Sequence, residues 1–184
     1  MTRERAVELL EKYIENPRMH NHCYASEAVM QDVATRLGED PHRWGLAGLL
    51  HDLDVEITDA DPEVHGLKTA EILRNEDVDG EFIEAIVRHN EMASKKERAT
   101  TFQHALSASE TITGLIVATT LVYPDKKLSS VKPKSIVKRM KEKSFAASVD
   151  RDKIRECEKT GIPLNEFAAL SLKAMTRISD HLGL

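Results

Sequence analysis

Apolar residues recur at spacings of three and four along nearly the whole chain. Nowhere do they alternate as a half-buried strand requires. That pattern restricts the chain to packed helices. Thr2–Asn16 sets Ala6, Leu9, Leu10, Tyr13 and Ile14 on one face, and Pro17 closes it. His22–Leu37 carries Ala25, Val29, Val33 and Leu37, with Gly38 as its stop. Asp40-Pro41 predicts a helix entry, with Asp as N-cap and Pro in the first turn, for a helix running to His51. Asp61-Pro62 repeats the signal ahead of Val64–Arg74. Glu81–His89 is short and apolar in its middle. Thr101–Val122 predicts one long helix with Phe102, Ala105, Leu106, Ile112, Leu115 and Ile116 inward. Ser135–Lys141 and Asp150–Thr160 predict short helices, and Gly161 ends the second. Glu166–Leu182 closes with an amphipathic helix that uses Phe167, Leu170, Met175 and Ile178.

The expected fold class is therefore all-α, a single domain of 184 residues with one sizeable core. Residues 124–184 read as a helical extension packed on a first part at about 18–123. Aromatics are only 4% of the chain, so Leu, Ile, Val and Ala must fill the core. A net charge of −5 gives no general argument for nucleic acid or an anionic membrane as partner. The two cysteines, Cys23 and Cys157, lack any CxxC pairing and suit a reducing compartment. The N-terminus is charged and amphipathic rather than a signal peptide, and the weakly polar run 111–123 is too short for a bilayer. A soluble, cytoplasmic protein is expected.

The histidines narrow the chemistry. There are eight, and any one of them is by default a surface or hydrogen-bonded residue. His51 and His89, however, each follow an apolar helical run, in GLLHD and EAIVRHN. His65 lies early in the helix predicted after Asp61-Pro62, and His22 opens the second helix. Several helix ends could aim imidazoles into one cavity, as metal sites in bundles do. Asp52, next to His51, has two carboxylate oxygens and could bridge two ions. Such ligands suit first-row metals, and the absence of cysteine ligands argues against a closed structural zinc site. His20, His42, His104 and His181 read as structural or exposed. Asp54 and Glu56 are either supports for the His-Asp pair or solvated loop charges.

The ordered set His22 … His51-Asp52 … His65 … His89, with the flanks HNHCYASEAVM, WGLAGLLHDLDVE, HGLKTAEIL and AIVRHNE, resembles the HD-domain superfamily of metal-dependent phosphohydrolases. It is closest to small bacterial HD-domain, or HDIG-type, hydrolases, and the likeness covers most of the chain. The resemblance implies an all-α HD-domain bundle holding one or two divalent ions (Fe, Mn, Zn or Mg). His22, His51, Asp52, His65 and His89 match the family's ligands. The last ligand is normally an aspartate on a later helix; Glu110 stands there, one methylene longer.

The implied activity is hydrolysis of a small phosphate ester, such as a nucleotide, by metal-activated water, with Asp52 holding or bridging the ions. Lys68, three residues after His65, is a candidate phosphate contact. The basic stretch 126–143 is either a solvated face or a steering patch; without interleaved aromatics it makes a poor nucleic-acid platform. Two other readings stay open: a di-iron oxygenase using the same ligands, and a non-catalytic nucleotide-binding or sensor module. The final helix could pack on its own domain or on a second copy, which leaves a homo-oligomer open.

Overall fold

Eleven α-helices and no strand make up the computed structural model, which describes residues 1–184. The helices are α1 (Arg3–Tyr13), α2 (Pro17–Leu37), α3 (Pro41–Leu50), α4 (Leu67–Leu73), α5 (Gly80–His89), α6 (Glu91–Ser94), α7 (Thr101–Leu121), α8 (Pro133–Arg139), α9 (Arg151–Arg155), α10 (Leu164–Arg177) and α11 (Ser179–Leu182). Short 3-10 turns cover Leu128–Ser130 and Glu156–Thr160. The all-α expectation holds. No helix is long and apolar enough to cross a membrane.

Local signals explain most boundaries. Asp40 caps α3 by accepting from the N–H groups of His42 and Arg43, as its position before Pro41 predicts. Asn16 caps α2 in the same way by accepting from the Arg18 N–H, with Pro17 in the first turn. Pro17 opens α2 rather than merely closing α1, so His22 sits well inside a helix and not at its first residue. The expected helix over Val64–Arg74 shortens to α4. Gly66, at φ +94°, interrupts it, a left-handed conformation that costs glycine little. The final amphipathic stretch is likewise two helices, broken at Ile178.

Helices α2 and α7 are the two long central elements, and α3 and α10 pack on α2. The α2–α3 approach is close because Gly48 has no side chain. A Cβ there would stand 2.6 Å from the Ser26 carbonyl oxygen. One continuous core runs from Ala6 to Leu182 and includes all six inward residues expected of α7. Residues of the C-terminal third, among them Ile154, Phe167 and Met175, belong to it. Trp44 stacks on Phe102 within this core, with ring centroids 4.9 Å apart. Two helix ends, those of α3 and α5, and the turn before α4 meet the interior of α2, and there the histidines come together.

Candidate metal centre

His51 is delivered by the end of α3, and Asp52 follows it in the irregular segment that leads toward α4. His89 is the last residue of α5. His22 comes from the interior of α2, and His65 from the turn before Gly66. All four imidazoles turn Nε2 toward the Asp52 carboxylate. The separations are 3.2 Å for His51, 3.0 Å for His65, 3.5 Å for His89 and 3.6 Å for His22. The Nε2 atoms of His22 and His51 lie 3.2 Å apart, and those of His65 and His89 3.1 Å apart.

The opposite nitrogens settle the tautomers. His51 Nδ1 donates to the Gly48 carbonyl at 2.8 Å and His89 Nδ1 to the Ile86 carbonyl at 2.5 Å. His65 Nδ1 donates to the Asp54 carboxylate at 2.7 Å. His22 Nδ1 lies 3.0 Å from Thr113 Oγ1, whose own proton goes to the Glu110 carbonyl, so Nδ1 is again the donor. A neutral imidazole with its proton on Nδ1 presents a bare lone pair at Nε2. With Nδ1 of each ring committed to another partner, the four Nε2 atoms converge on the Asp52 carboxylate, an arrangement that a cation could satisfy. The donors form two groups that share Asp52: His22–His51–Asp52 and Asp52–His65–His89, with ligand atoms within 4.8 Å of one another in each. This buried His/Asp cluster could hold a divalent ion.

Electrostatics agree. Burial pushes the His51 imidazole down to about 3 against the pull of Asp52, so the ring stays neutral, the form in which it could bind a metal ion. Burial would raise the Asp52 carboxyl, but His51, His65 and the other rings hold it well below the usual carboxylate range. Burial would lower His65 too; its bonds to Asp52 and Asp54 overrule that and raise it to about 10. With no metal bound, a proton on His65 Nε2 takes the place of the cation.

Asp54 is fully buried and works behind the cluster. One oxygen receives His65, and the other accepts the N–H groups of Gly66, Lys68 and Thr69 at 2.7, 3.0 and 3.1 Å. The carboxylate thus shapes the turn that carries His65 and holds its ring. Asn90 fastens the same turn through the Pro62 and His65 carbonyls. The sequence left Asp54 undecided between support and loop charge; its burial resolves that toward support.

Two expected residues are not among these donors. Lys68 bonds Asp54 only through its backbone, while its exposed ammonium pairs with Glu71 at 2.6 Å. It lines a surface groove with Lys12 and Tyr13. The one-turn spacing from His65 fails because Gly66 breaks the helix between them. Glu110 belongs to neither ligand group. Its carboxylate accepts from the Thr111 hydroxyl at 2.5 Å and faces a cleft beside His22. In the basic stretch, Arg139 pairs with Glu142, and no residue of 126–143 lines the clefts at His22.

The HD domain family matches residues 19–120, more than half of the chain. The chain is an HD-domain protein. Its family is one of metal-dependent phosphohydrolases, as the His-Asp pattern implied. No curated protein and no solved structure matches the chain. Beyond the matched span, this HD domain is buttressed by the C-terminal third. Arg98, nearly fully buried, donates to the carbonyls of Arg88 and His89 at 2.8 and 3.2 Å and is gripped by Glu156 at 2.6 and 2.7 Å. Glu156 also takes His104 Nδ1 at 2.8 Å. His104 is thereby structural, as expected, but buried. No sequence motif announces this brace, because its members lie 58 residues apart.

Proposed function

We propose that the chain is a metal-dependent phosphohydrolase acting on a small phosphate ester, with His22, His51, Asp52, His65 and His89 as its metal ligands. The observation that carries the reading is the convergence of four Nε2 atoms on one buried carboxylate, each ring having its Nδ1 committed to another partner. A divalent ion, when bound, supplies a Lewis acid for a phosphoryl oxygen and makes water acidic enough to furnish a nucleophile near neutral pH.

The chain's own residues then have distinct tasks. Asp52 would hold the metal through its carboxylate, with Oδ1 facing His51, His65 and His89 and Oδ2 facing His22. Asp54 holds the proton on Nδ1 of His65 and keeps Nε2 free. Gly48 and Ile86 do the same for His51 and His89 through backbone carbonyls. His22 and His65 retain 23% and 14% side-chain exposure against 1% for His51, so the substrate approaches from their side. Glu110 is outside the ligand set in this reading, and Lys68 is not a phosphate contact.

The test joins elemental analysis of protein purified without chelator to hydrolysis of p-nitrophenyl phosphate and a panel of mononucleotides. His51→Ala and Asp52→Ala should lose metal and turnover while retaining helical content. Unchanged metal in both variants would refute the ligand set. The same donors suit two irons. Oxygen uptake without phosphate release would therefore move the assignment to an oxygenase.

A further inference from the structure

Two clefts meet at His22. One is a groove of about 650 Å³ between α2 and α7, lined by Arg18, His22, Val117, Ala118, Leu121 and Leu182 among others. The other is a smaller polar cleft of about 250 Å³, whose lining includes His22, the carboxylates of Glu110 and Asp150, Ser148 and Lys153. Gly114 borders both.

Three features suit this pair of clefts to a ligand of mixed character. The first is the walls of the groove, which are aliphatic and reach the exposed Leu121. No Phe, Tyr or Trp lines either cleft, so a nucleobase would have no large aromatic ring to stack on. The second is a pair of free cations flanking His22. Arg3, Arg5, Arg36, Arg43 and Arg177 are each held by a carboxylate. Arg18 and Lys153 form no ion pair, and Lys153 reaches only the His89 carbonyl at 3.4 Å. The third is Gly114. Glycine inside a helix is destabilising, and close packing usually explains it. Here an added Cβ would meet only Val149 Cγ2, at 3.4 Å, an ordinary contact distance. Its missing side chain leaves room where the two clefts join.

We propose that the groove receives the aliphatic group of an organic phosphate whose phosphoryl head lies beside His22, with Arg18 and Lys153 as counter-charges. This rests on the phosphohydrolase reading and names its substrate class: an alkyl-type phosphate ester rather than a nucleotide.

Binding of methyl-, butyl- and octylphosphonate to the zinc-reconstituted protein, measured by calorimetry, tests it without requiring turnover. Affinity should rise about three- to fourfold per added methylene until the groove is filled. Ala118→Trp, which fills the groove, should flatten that dependence. So should Leu121→Ser, at an exposed position where a polar residue does not threaten folding. Arg18→Ala should weaken all three phosphonates alike and leave their ratios intact. Equal affinities along the series would overturn the proposal. So would adenosine monophosphate binding more tightly than octylphosphonate with the same sensitivity to Leu121→Ser. A dimer that excludes octylphosphonate and is weakened by Leu121→Ser would assign the groove to a second copy of the chain. Octyl phosphate that binds with the expected chain-length dependence but is not hydrolysed with any metal would leave the groove assignment standing and remove the hydrolase reading.

Discussion

Replacing Asp54 with asparagine tests how the cluster is tuned, because the substitution changes almost no volume. The native carboxylate accepts three backbone N–H groups on one oxygen and His65 Nδ1–H on the other. An asparagine can offer only one oxygen. Turned toward the three N–H groups, it sets its NH2 against His65 Nδ1, which must then accept. The ring proton moves to Nε2, the atom that faces Asp52, and the metal lone pair is lost. The reverse orientation places donors against three donors and is worse. Charge-assisted bonds contribute about 1.5–3 kcal/mol each and neutral ones about 0.5–1.5. The variant should therefore lose roughly 2–4 kcal/mol of stability, and metal affinity should fall about 10–100-fold, as for other residues that orient a ligand histidine. Urea denaturation and competition with a chromophoric chelator measure the two. Thr69→Val is the control. It removes the hydroxyl that accepts the Asp54 N–H at 3.1 Å but leaves the His65 tautomer alone. Native-like metal affinity in Asp54→Asn, or an equal loss in Thr69→Val, would refute the tautomer argument.

Other outcomes follow from the same geometry. Glu156→Ala should destabilise by about 3 kcal/mol, the low end for a broken buried pair, since Glu91 remains 3.2 Å from Arg98; a loss under about 1 kcal/mol by urea denaturation would show that the brace is dispensable. Although burial acts the other way, Arg98 and His104 hold the Glu156 carboxyl below its usual value. Its contribution is therefore full above about pH 4.5 and fades as pH falls through the lowered value. Stability curves of wild type and Glu156→Gln should thus converge in acid, and a constant gap down to pH 3 would count against the ion pair. Gly48→Ala forces a Cβ onto the Ser26 carbonyl and should cost about 1–3 kcal/mol; thermal unfolding unchanged from wild type would mean that α2 and α3 can part freely.

Helix periodicity and capping residues were legible because they are local. The spacing of Leu9, Leu10 and Ile14, or of Phe102, Leu106 and Ile116, needs only the geometry of one helix to be read, and all of them are buried. Asp40-Pro41 acted as a cap for the same reason. The set of five candidate ligands was legible through its order and flanks, which resemble those of the HD family, and the structure brings all five together. Local reasoning failed where one residue changed the path of the chain. The periodic stretch after Asp61-Pro62 put His65 and Lys68 on one helical face. The left-handed Gly66, fastened by a buried carboxylate twelve residues earlier, separates them. Glu110 lines the cleft beside His22, and its carboxylate bonds the neighbouring Thr111 rather than joining either donor group.

The sequence by itself determined that this chain is helical and which imidazoles and carboxylate were available, because both follow from short-range spacing. Only the tertiary structure decided the protonated nitrogen of each ring, the role of Asp54, the brace from Arg98 to Glu156 and the clefts that meet at His22. Those properties depend on distances between residues far apart in the chain, and no local pattern encodes a distance of that kind.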